Sequence, residues 1–146
     1  MPIAVLVRIL LLKNQKKSPL DRRPALCNLK MALSSVEFWE SFYDQHVDLR
    51  EWYLPQEDVL PVILPRIKDG DIILHIGCGS SETSVDILRE RPCCRIVNID
   101  FSESVVQNMI HRFGDDDRQE FHSIDVRDMS RFPNSTFDII LVRCFF

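Results

Sequence analysis

Residues 72–83 read IILHIGCGSSET, an apolar run that stops at Gly77 and Gly79 on either side of Cys78. The chain has four glycines, and two of them stand here. Without a Cβ they reach backbone angles closed to other residues and let a ligand approach the main chain. Amide N–H groups of such a loop, and of a helix starting after it, suit an anionic or carboxylate group. A G-x-G alone also serves a tight strand-to-helix turn with no ligand. Two aspartates add weight to the ligand reading. Asp100 closes RIVNID, 21 residues after Gly79, about the interval at which an acid meets the two hydroxyls of a ribose. Its alternative role is an N-cap for the next helix. Asp125 closes FHSID, where a carboxylate accepts from an exocyclic amine while the Val126 amide donates to a ring nitrogen of adenine. An Asx-turn acid is the alternative there.

A dinucleotide fingerprint wants a third glycine three positions after the second, close under a pyrophosphate. That position is Glu82, and a carboxylate repels a pyrophosphate. A nucleoside cofactor without phosphate fits better: S-adenosylmethionine, with its amino acid end over Gly77 to Gly79.

The elements that must position these groups follow from hydrophobic spacing. VEFWESFYDQH, 36–46, has apolar residues at 36, 38, 39, 42 and 43, a helical pattern. Ser34 with Glu37 offers a capping box before it. Val59, Leu60, Ile63, Leu64 and Ile67 predict a second helix, broken or irregular at Pro61 and Pro65. Ile72–Ile76 reads as a strand buried on both faces. A helix over 84–91, a strand over 95–99, and a helix over 102–113 with Ser102 as N-cap come next. Strands over 121–124 and 137–142 complete the pattern. Strand and helix alternate, which predicts an α/β fold, a Rossmann-like doubly wound sheet of about four strands preceded by helices.

Composition bounds the rest. Net charge is −4 over 146 residues, yet residues 1–30 carry +6 and the remainder −10. An acidic body speaks against nucleic acid as a partner and is compatible with a basic protein. Five cysteines, at 27, 78, 93, 94 and 144, form no metal pattern. They read as free thiols packed as small apolar residues, with Cys78 set apart by its neighbours. MPIAVLVRILLL is too short to span a bilayer and is interrupted by Arg8. Residues 1–30 read as a basic and apolar extension outside the fold, with Met31 as a natural start, and 31–146 as the cofactor-binding part of the domain. A cytoplasmic location is expected, with a mitochondrial transit peptide as the alternative for 1–30.

VEFWESFYDQH, REWY at 50–53, ILHIGCGSSETS, IVNIDFSESVVQNM and IDVRDM followed by FPNSTFDIILV lie in collinear order over about 36–142. In these stretches the chain resembles class I S-adenosylmethionine-dependent methyltransferases. More closely, it resembles the methyltransferase-like proteins that methylate lysine, and in one member the N-terminus, of translation elongation factor 1-alpha. The resemblance implies an enzyme transferring a methyl group from S-adenosylmethionine to a protein amine, with that factor as partner. It implies that Gly77 and Gly79 hold the methionine end, Asp100 the ribose, and Asp125 with Val126 the adenine, with Cys78 and Phe101 also among the cofactor-binding residues. Trp52 would help close the pocket, or pack as an aromatic on the N-terminal helices. His75 stands where the wider superfamily is often acidic, and is expected to be structural.

Relatives follow the fourth strand with an acidic-Lys-Gly-Thr-Leu-Asp type segment. Here the sequence reads Val142-Arg143-Cys144-Phe145-Phe146, so no catalytic residue is assigned. The expectation is a domain truncated after its fourth strand, weak or inactive alone, with FDIILV an open edge available for pairing. Two rivals remain: a non-catalytic interaction half-domain and a small-molecule methyltransferase.

Overall fold

The computed structural model describes residues 35–45 and 56–142, and residues 5–8 as a backbone strand. In chain order the elements are β1 (Val5–Arg8), α1 (Val36–Gln45), α2 (Gln56–Ile63), β2 (Ile72–Ile76), α3 (Thr83–Glu90), β3 (Arg95–Asp100), α4 (Glu103–Phe113), β4 (Gln119–Ser123) and β5 (Ile139–Val142). A 3₁₀ turn over Leu64–Arg66 ends α2, where Pro65 cannot donate into a continuing helix.

The sheet is parallel, in the order β1-β5-β2-β3-β4. From β2 the chain steps outward through β3 to β4, then returns to the other side of β2 for β5. The strand order therefore reverses beside β2, which is where open α/β sheets hold their ligands. The expectation that 1–30 lies outside the fold does not hold for β1, which pairs along β5 from Val5↔Ile139 to Arg8↔Val142. The same pairing corrects the expected open edge: β1 covers the outer side of β5. Burying its hydrogen-bonding groups in a ladder is what an apolar edge strand requires.

Right-handed crossovers from β2 to β3 and from β3 to β4 put α3 and α4 on one side of the sheet. There Val59 and Ile63 of α2 and Ile87 and Leu88 of α3 pack against Ile73, Ile96, Ile139 and Leu141. The void left among them is about 10 Å³, at the lower limit for one water, so this core holds no ligand. A second cluster joins Cys78, Val105, Val106, Met109 and Phe121, with Tyr43 of α1 against it. α1 is capped by Ser35, whose Oγ accepts from the Phe38 amide at 3.1 Å, one residue later than the capping box the sequence suggests.

Candidate functional site

Gly77 and Gly79 follow β2 in left-handed backbone, φ +65° and +51°, which only glycine adopts without strain. Gly77 and Cys78 donate their amides to the Ile99 carbonyl at 2.9 and 3.1 Å. The Gly79 amide donates to Asp100 Oδ2 at 2.9 Å. Asp100 Oδ1 accepts from the Ser102 amide at 3.1 Å, and the Asp100 carbonyl accepts from the Ile124 amide at 2.8 Å. The carboxyl ends of β2, β3 and β4 are thus laced together at one rim, with Asp100 in the middle.

This geometry corrects one expectation. The loop amides from 77 to 79 are already engaged within the chain, so they do not wait for an anionic group. What Gly79 contributes is bare backbone: an added Cβ would lie 2.6 Å from Tyr43 Oη. Tyr43, which sequence spacing marks only as part of the apolar face of α1, therefore covers the loop. The Cys78 side chain is corrected as well, because it points into the cluster of Val105, Val106, Met109 and Phe121. Burial, and then the Asp100 charge, push its thiol well above the ordinary range, so it is no thiolate nucleophile. Cys94 is also buried, whereas Cys93 is exposed, contrary to its expected packing role.

Asp100 is 6% exposed. Burial raises its pKa, and the Ser102 and Gly79 amides oppose that. Each carboxylate oxygen takes one amide and, with two lone pairs, can accept a further hydroxyl. Phe101 follows at the same rim, its carbonyl accepting from Ser123 Oγ at 3.5 Å. Asp125 stands exposed two residues beyond β4, and Arg127 grips it: Nε donates to both carboxylate oxygens at 2.9 Å and Nη2 pairs with Oδ2. The hydrogen bond from Arg127 holds the Asp125 carboxyl down, at about 2. Val126, between them, is half-buried. Trp52 lies outside the described residues.

Glu82 forms an ion pair with Arg112 of α4, so its carboxylate is held between helices α3 and α4. His75 is fully buried, with Nδ1 3.1 Å from Asn98 Oδ1, inside the sheet rather than at the rim. Among the described residues no group of three or more His, Cys, Asp or Glu is arranged to hold a metal ion. Sequence reasoning missed Tyr43 and Arg127. Arg127 was within reach of it, since it lies two residues after an assigned acid.

Residues 73–146 match the methyltransferase domain family. The mouse eEF1A lysine and N-terminal methyltransferase is 36% identical over 110 residues, covering 73% of this chain and 15% of that protein. The bovine EEF1A lysine methyltransferase 4 is 28% identical over 126 residues, 84% of this chain and 48% of that protein. The chain thus spans about a seventh of one relative's length and half of the other's. Among solved structures, a SAM-dependent methyltransferase from Thiobacillus denitrificans in complex with S-adenosyl-L-homocysteine superposes with a TM-score of 0.54 at 17% identity, over 69% of this chain and 42% of that one. At that identity the likeness speaks for the fold alone.

Proposed function

The chain belongs to the methyltransferase domain family of S-adenosylmethionine-dependent enzymes, and from that membership we propose that it holds S-adenosylmethionine across the tips of β2, β3 and β4 for methyl transfer to a protein amine. The lysine-methylating activity in the names of its relatives makes a lysine of elongation factor 1-alpha the proposed acceptor. One observation supports the binding half of this reading: hydrogen bonds tie the Gly77–Gly79 loop, Asp100 and the chain leaving β4 just before Asp125 together at a single rim.

These residues fit the cofactor. The Gly77–Gly79 loop, in left-handed backbone at the tip of β2, suits the methionine end. Asp100 keeps lone pairs for the two ribose hydroxyls, and Asp125 with the Val126 amide suits the donor and acceptor edge of adenine. Bound S-adenosylmethionine supplies a methyl group already activated on a sulfonium, so the protein's share is mostly positioning. A lysine near its unperturbed pKa of about 10.4 is almost wholly protonated at neutral pH. The demanding task is therefore to take its proton or to desolvate it.

The Asp125–Arg127 ion pair gives a specific expectation. Both oxygens of Asp125 are occupied by Arg127, which competes with the adenine amine. Exposed pairs of this kind are weak, so Arg127→Ala should tighten binding of S-adenosylhomocysteine about two- to fivefold. Calorimetric titration of both proteins measures it; equal affinities would mean that Asp125 does not meet the ligand.

Incubating the full chain with purified elongation factor 1-alpha and methyl-labelled S-adenosylmethionine tests the reaction. Label on a lysine of the factor, lost with Asp100→Ala, supports it. Tight S-adenosylhomocysteine binding with no label on the factor would remove the acceptor and leave the cofactor site standing.

A further inference from the structure

α1 is ten residues long, too short to hold its helix in water without tertiary support. Its buried anchor is Trp39. Its polar anchor is Glu40, whose Oε1 accepts from the Glu103 amide at 2.7 Å and whose Oε2 accepts from the Ser104 amide at 3.2 Å. One turn on, Asp44 Oδ1 accepts from Ser104 Oγ at 3.0 Å. Ser102 caps the next amide of α4, that of Val105, at 3.3 Å. Glu40 therefore takes the first two amides of α4, which Ser102 cannot reach, and its charge complements the positive end of that helix.

Residues 40, 43 and 44 follow the i, i+3, i+4 spacing that puts side chains on one helix face. Fixing Glu40 on α4 therefore fixes Tyr43 about one turn away. Tyr43 is the residue whose Oη lies 2.6 Å from where a Gly79 Cβ would stand. The start of α4 is also the continuation of β3 past Asp100. One carboxylate thus ties α1 to the two strand tips that carry the bare backbone and the Asp100 acid.

We infer that Glu40 is a positioning residue: by gripping the first turn of α4 it seats Tyr43 over the glycine loop and so sets the affinity of the cofactor site. The affinity part rests on the cofactor reading above; the seating part does not. A residue that only capped α4 would stabilise that helix and leave the loop unchanged.

The test compares the wild-type full chain with Glu40→Ala and with Glu40→Gln, which keeps one acceptor oxygen. Nuclear magnetic resonance of the ligand-free proteins follows the Gly79 amide and the Tyr43 ring, with the Glu103 and Ser104 amides as local reporters. Calorimetry then measures S-adenosylhomocysteine affinity. For Glu40→Ala the Gly79 and Tyr43 signals should move and affinity should fall about tenfold, the size of a lost charged cap. Glu40→Gln should stay within about threefold of wild type. Glu103 and Ser104 signals that move while Gly79 and Tyr43 stay, or an affinity equal to wild type, would overturn the inference. If wild type takes up no S-adenosylhomocysteine, the cofactor reading falls, and the Gly79 and Tyr43 signals alone decide the seating. Should Glu40→Ala not fold, the same signals in Glu40→Gln decide it.

Discussion

Replacing Asp100 with alanine should weaken S-adenosylhomocysteine binding about 30-fold, or ~2 kcal/mol, the size of a charged hydrogen-bonding group lost from a buried site. It should also destabilise the fold by about 2 kcal/mol, because the Gly79 and Ser102 amides would lose their acceptor. Asp100→Asn separates the two effects. Its single oxygen can serve one amide, but its NH₂ then faces the other, so affinity should fall between wild type and alanine. A pH dependence follows from burial, which raises the Asp100 pKa above its ordinary value of 3.8. A folded-state pKa above the unfolded one means that the contribution to stability is fully present below 3.8 and is lost as pH rises through the raised value. Urea unfolding across that window should show the wild type losing this increment while Asp100→Asn does not. Unchanged ligand affinity in Asp100→Ala would remove Asp100 from the site.

Gly79→Ala carries the second large effect, and it has two separable causes. At φ +51° an alanine pays about 1–2 kcal/mol for left-handed backbone. Its methyl would also press on Tyr43 Oη at 2.6 Å and displace that ring. The combined destabilisation should be about 2–3 kcal/mol. Ligand affinity should fall at least about 30-fold, because strained backbone and a displaced Tyr43 shift the Gly79 amide that holds Asp100. Adding Tyr43→Phe to Gly79→Ala removes the hydroxyl and should return the steric part of the stability, but neither the backbone part nor the affinity. Thermal unfolding and calorimetry of the single and double variants measure both quantities. Wild-type affinity in Gly79→Ala would show that no ligand lies against this loop.

Local pattern made the frame of the molecule legible. IILHI, RIVNID and FDIILV are apolar runs of strand length, and Ser102 before an amphipathic run marked the start of α4. The break at Pro65 followed from a missing donor. What escaped the sequence reading depends on partners far along the chain. VLVR looks like part of a basic extension until it is seen to pair along the outer side of β5. The loop glycines suggest free amides until the Ile99 carbonyl and the Asp100 carboxylate are found within 3.1 Å of them. Cys78 is set apart in the sequence by its two glycine neighbours, yet its side chain turns inward with Met109 and Phe121. Tyr43 reads only as one apolar residue of a helix, because spacing within α1 says nothing of α4 or Gly79. Long-range pairing, rather than local propensity, decided each of these.

The proposed function requires the tips of β2, β3 and β4 to form one adenosyl site. Titrating the ¹⁵N-labelled full chain with S-adenosylhomocysteine tests it most directly. The amides of Gly77, Cys78 and Gly79, of Asp100 and Phe101, and of Asp125 and Val126 should shift together and saturate with one dissociation constant. No shift at saturating ligand, or shifts confined to one tip or to residues away from all three, would contradict it.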